Sequence, residues 1–214
     1  MNLIVNLFNS NKKTNLLLIF FISYCMSLLL FRAKMTNSIY LFFLIWNLFL
    51  AIIPYAITSY LSINAIVINN KLISFLTAIT WLLFLPNSFY IITDLVHIVR
   101  SSGNLFYLDL VIICSFATIG FLLGLLSLIE FEKLFISNSN RTFKQFLIPI
   151  ICLLCGFGIY IGRILRYNSW DVISNPFQLF IDLFTIAFSL KSILFATLFG
   201  TFIYFSYLFK QNKI

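Results

Sequence analysis

The sequence predicts an all-α fold: a polytopic transmembrane helical bundle of about six spans, with one extra amphipathic helix that is interfacial or re-entrant. Three observations lead there. Of the 214 residues, 62% are hydrophobic and only 9% are charged, whereas a water-soluble domain carries about 25% charged residues to cover its surface. The apolar residues form long unbroken runs, not short alternating segments, and long runs in a membrane are helices. The basic residues stand in short loops between those runs, where they act as topology signals and anionic-lipid contacts. No polar linker divides the chain, so residues 1–214 form a single integral membrane domain.

A spanning helix needs about 20 apolar residues, fewer when its flanking charges snorkel. The first span is residues 16–31, short but bracketed by Lys13 and Arg32. Lys12 and Lys13 before this run resemble a signal sequence, but Phe31-Arg32-Ala33-Lys34 is a poor cleavage site, so an uncleaved signal anchor is expected. The second span is residues 38–61, with a kink expected at Pro54. Residues 72–92 form the third, 105–129 the fourth, 146–165 the fifth and 192–209 the last.

Residues 176–190 fit no simple span. Asn175 reads as an N-cap, Pro176 as the first helical residue, and Gln178 as the partner reaching back in a capping box. Gln178, Asp182, Thr185 and Ser189 then recur as one polar stripe on an apolar helix.

Six spans put both termini on one side with Lys12, Lys13, Lys71, Lys133, Arg141, Lys144, Lys210 and Lys213. The other side holds Arg32, Lys34, Arg100, Arg163, Arg166 and Lys191. This bias places both termini in the cytoplasm. Glu130 and Glu132 then fall inside, and Asp94, Asp109, Asp171 and Asp182 outside.

Two stretches carry the polar chemistry. After Pro86, where the helix should kink or restart, Asn87, Tyr90, Asp94 and His97 follow at helical steps and share one face. Asp94 and His97 lie one turn apart, so the carboxylate is placed to orient or charge the imidazole. The fifth span ends in GRILRYNSWD, residues 162–171, with Arg163 and Arg166 again one turn apart. Both stretches emerge on the same side. Charges at membrane depth usually pair or face a wet cavity, so Arg163 and Arg166 are matched to Asp94 and Asp171, with Asn168 and Trp170 near the headgroups. Gly120/Gly124 and Gly158/Gly162 each form G-x-x-x-G, which predicts close packing of the fourth and fifth spans. Cys152 and Cys155 form C-x-x-C inside an apolar run and read as small buried hydrophobes.

The combination of WLLFLPNSFYIITDLVHI (residues 81–98) with GRILRYNSWDV (residues 162–172) resembles an uncharacterised family of bacterial polytopic membrane proteins, domain of unknown function thirteen-sixty-one. The likeness covers most of the chain and is most specific at PN…Y…TD…H and GR…R.NSWD. The family commonly carries Ala-Pro where this chain has Ser88-Phe89, which implies a softer kink here. The resemblance implies a bacterial plasma-membrane protein of several spans and supplies no activity.

Three roles follow for the polar cluster. It is a clasp between the third and fifth spans; or a binding or transport site for an anionic or lipid-headgroup ligand, since two arginines suit a phosphate; or a membrane enzyme in which His97 is a general base oriented by Asp94, with the arginines stabilising negative charge. The expected partners are the bilayer and an anionic lipid or phosphate-bearing ligand, not nucleic acid. No cofactor or metal is expected, because neighbouring arginines oppose cation binding and no hydrolase, metalloprotease or phosphate-loop motif is present.

Overall fold

A computed structural model describes residues 11–64, 70–100, 105–136, 140–167, 171–186 and 189–211. Its long helices are α1 (Lys12–Thr36), α2 (Phe43–Ile63), α3 (Lys71–Tyr90), α4 (Phe106–Phe131) and α5 (Arg141–Tyr160), followed by the short α6 (Asp171–Ser174), then α7 (Pro176–Ile186) and α8 (Leu190–Gln211). α3 continues as a 3-10 helix (Ile91–Arg100), and α4 and α5 end in wide π turns (Glu132–Ile136 and Ile161–Leu165). Among the described residues six helices are long and apolar enough to cross a membrane.

The spans are longer than their apolar runs. α1 takes in Lys12 and Lys13 at one end and Arg32 and Lys34 at the other; the aliphatic stems of the exposed lysines can lie along apolar surface while their charges reach the interface, and Arg32 turns inward to Asp109. Large apolar side chains such as Phe20, Leu72, Phe146 and Leu198 point outward, as a bilayer requires.

α4 is the central post. One apolar cluster joins it to α1, α2 and the 3-10 segment through Cys25, Leu44, Ile91 and Phe116. A second joins it to α3, α5 and α8 through Trp81, Phe89, Ile151 and Ile203. Several interior polar groups are paired. Trp81 Nε1 donates to Ser127 Oγ at 2.7 Å, and the indole stacks on Phe131 at 3.8 Å. Ser88 Oγ donates to the Ala51 carbonyl at 2.8 Å. Such bonds matter where no water is available to replace them. Cys152 and Cys155 are buried in the core as expected.

The glycines correct one expectation. α4 and α5 scarcely meet; α3 and α8 stand between them. A Cβ on Gly124 would meet Phe89 of α3 at 2.8 Å, and one on Gly158 would meet Pro86 of α3 at 2.6 Å. Each G-x-x-x-G thus receives α3, from opposite sides. α5 also packs backbone to backbone on α8, where a Cβ on Gly200 would meet the Leu153 Cα at 2.9 Å.

Pro86 also behaves differently from expectation. α3 runs through it, and the helix changes pitch only after Tyr90. The β-branched residues Ile91, Ile92 and Thr93 disfavour the α-helix, and Thr93 Oγ1 donates back to the Tyr90 carbonyl at 2.7 Å.

Candidate functional site: a clasp, a cavity and the opposite end

Both partners of the polar cluster stand on non-α backbone. In a 3-10 helix residues three apart eclipse one another, so Ile91, Asp94 and His97 line one edge; Ile91 packs against Gly120 of α4, and Asp94 and His97 meet α2. Asp94 is 1% exposed. One carboxylate oxygen accepts from Asn47 Nδ2 of α2 at 2.7 Å, and the other from Arg163 Nη1 at 3.2 Å. Arg163 projects from the π turn of α5. It also donates to the Tyr90 hydroxyl at 3.3 Å and, through Nη2, to the Thr93 carbonyl at 3.0 Å. Its guanidinium lies 5.8 Å from the Tyr90 ring centroid, in cation–π range. One cation therefore ties α5 to three residues of the third span.

The rest of the predicted cluster divides. His97 packs on Phe43 of α2 with ring centroids 4.8 Å apart, on the far side of Asp94 from the cavity described below. Arg166 does not join Arg163. It adopts a left-handed backbone, φ 62°, which closes α5, and its side chain is exposed with no ion pair among the described residues. Asp171 belongs to α6, where it accepts from Ser174 Oγ at 2.9 Å. Asn168 and Trp170 lie outside the described residues.

A second ion pair at this end was hidden in the sequence. Arg32 of α1 grips Asp109 of α4 with a two-pronged fork, Nε at 2.8 Å and Nη2 at 3.2 Å. Isolated charges at span ends read as snorkelling, and nothing in their spacing links residues so far apart.

Below the Asp94–Arg163 pair, within the bundle, lies a cavity of about 360 Å³, within the range of small-molecule sites. Leu50 and Trp46 of α2, Leu82, Leu83 and Pro86 of α3, and Leu154, Phe157 and Gly158 of α5 form its apolar walls. Its polar lining is uncharged: Asn47, Asn87, Tyr90 and Tyr167.

α7 closes one side with Leu179 and Leu183. Asn175 precedes Pro176 as expected, and its carbonyl accepts from Leu179 N at 3.1 Å. Gln178 does not reach back to it. It donates forward to Asp182 at 3.1 Å, and Asp182 also accepts from the Tyr167 hydroxyl at 2.6 Å. That bond holds the Tyr167 phenol above its ordinary pKa. Ser189 leaves the stripe and instead accepts from Ser192 N at the start of α8. The polar edge of α7 therefore faces Tyr167, while Phe177, Phe180 and Phe184 point outward.

The opposite end of the bundle is built from the starts of α1 and α5 and the ends of α4 and α8. Glu132 is shared by the Tyr207 hydroxyl, Gln211 and Lys144, the last at 3.5 Å. Glu130 accepts from Asn11 at 2.9 Å and Ser59 at 3.3 Å.

The model of a family described as Protein of unknown function (DUF1361) matches residues 46–206. The chain belongs to this family. The match begins at Trp46 and runs into α8, so the Asp94–Arg163 pair and the whole lining of the cavity fall within the DUF1361 region, whereas α1 and its Arg32 precede it. No curated protein and no solved structure matches the chain.

Proposed function

We propose that this protein binds an amphiphile in the cavity between α2, α3, α5 and α7, and that Asp94–Arg163 is a structural clasp fixing the cavity's polar end. The ligand carries an apolar chain and an uncharged, hydrogen-bonding head. The observation that supports this is the lining: aliphatic and aromatic walls leading to Asn47, Asn87, Tyr90 and Tyr167, with no charged side chain among them. An anion on the arginine pair is less well supported. The donors of Arg163 are directed at Asp94, Tyr90 and Thr93, and Arg166 is exposed elsewhere.

The setting proposed is a bacterial plasma membrane with both termini cytoplasmic. The larger share of Lys and Arg at the Glu132 end supports that orientation.

Trp46 lines the cavity and reports on it. A brominated monoacylglycerol should quench its fluorescence saturably, and Trp46→Phe should remove the quenched component. Filling the walls with Leu83→Phe and Leu154→Phe should abolish saturation. Stronger quenching by a brominated fatty acid anion, lost in Arg163→Gln, would favour an anionic site. Quenching that never saturates would remove the binding reading.

A further inference from the structure

We infer a second, separate lipid site at the Glu132 end: a slot between α1 and α4 that holds one anionic phospholipid, its chain against the slot wall and its phosphate between Lys133 and Lys210. The slot measures about 480 Å³. Its apolar wall comes from Leu17, Leu18 and Phe21 of α1 and Leu122 and Leu126 of α4. That wall ends at Lys133, on the π turn after α4, and Lys210, in the last turn of α8.

The two lysines are available in a way that Arg32, Arg163 and Lys144 are not: Lys133 is exposed and Lys210 half-buried. Arg32, Arg163 and Lys144 are each held by a carboxylate. Lys133 and Lys210 join no ion pair among the described residues. Among the described residues Glu130 is the one acid lining the slot; it accepts from Asn11 and Ser59, and Lys133 lies within electrostatic reach of it without forming an ion pair. Two cations against one acid leave the slot net positive, and exposed Lys12 and Lys13 at the start of α1 add to the field. Cations near a membrane surface attract anionic headgroups, and an ammonium binds phosphate as a point charge without needing a fixed fork geometry. The apolar wall selects a lipid over a free ion, because only a lipid covers Leu17 and Phe21 while its head meets the lysines.

The site shares no lining residue with the cavity near Asp94, so the two proposals stand or fall apart. The test is native mass spectrometry of the whole protein in detergent with phosphatidylglycerol added. One phosphatidylglycerol should be retained, and retention should fall about tenfold in Lys133→Gln/Lys210→Gln. Lys133→Arg/Lys210→Arg should restore it. Equal retention of phosphatidylcholine overturns the proposal, as does retention unchanged in the glutamine variant. Displacement by inorganic phosphate at equal concentration overturns the lipid source in favour of a phosphate site. If the glutamine variant fails to fold, a salt titration of wild type decides. Retention that does not weaken with ionic strength overturns the proposal, because exposed charge attraction is screened.

Discussion

The two ends of the bundle treat charge in opposite ways. At the Asp94 end both buried acids are closed into ion pairs with arginine, Asp94 with Arg163 and Asp109 with Arg32. At the Glu132 end one acid is shared among neutral donors and a half-exposed Lys144, and two lysines that join no ion pair among the described residues line a slot with a single acid, Glu130. Arginine supplies the fixed geometry that a buried pair needs, and lysine the mobile point charge that suits an external phosphate. The cavity at the closed end is lined only by uncharged hydrogen-bonding groups, and the slot at the open end carries two lysines.

The largest expected effect comes from breaking a closed pair. Arg163→Gln leaves Asp94 buried without its cation, and removing one partner of such a pair costs about 3–5 kcal/mol. Unfolding in detergent should show that loss, and Asp94→Asn added to it should recover part. Arg32→Gln should behave alike through Asp109. A cost no greater than that of a surface substitution would erase the distinction between the two ends.

A smaller effect is expected where α5 packs closely on α3. Gly158→Ala places a Cβ 2.6 Å from Pro86, and overpacking of this kind costs about 1–3 kcal/mol. The melting temperature should fall. Lys133→Gln/Lys210→Gln should change stability by less than about 0.5 kcal/mol, while altering lipid retention as above. That separation of stability from binding sharpens the comparison.

The smallest effect concerns the edge of α7. Tyr167→Phe removes the bond to Asp182, and hydrogen exchange in α7 should quicken with little change elsewhere. The bond raises the folded-state pKa of the phenol. Its stabilisation is therefore present below the unfolded value, about 10, and is lost as pH rises through the higher folded value. Wild type and Tyr167→Phe should differ throughout the neutral range and converge only in strong alkali.

The spans were legible because bilayer thickness imposes a length that apolar runs reveal. Their ends were less so, since Lys12, Arg32 and Lys34 extend α1 beyond its apolar run. The Asp94–Arg163 meeting was legible from two polar faces on one side of the membrane. The sequence did not show that α3 lies between the two glycine pairs, because the order of helices in space is not written in spacing. Nor did it show that Arg166 turns away, which depends on a single left-handed residue after a π turn. The ring contact of His97 with Phe43 of α2 was not legible either, because it depends on how the tighter-wound segment after Tyr90 meets α2.

The most direct measurement is a pair of double-mutant cycles, read by unfolding in detergent. One uses Asp94→Asn with Arg163→Gln, the other Glu130→Gln with Lys133→Gln. A closed and an open end predict a coupling of at least about 2 kcal/mol in the first cycle and below about 0.5 kcal/mol in the second. Equal couplings in the two cycles would contradict the account.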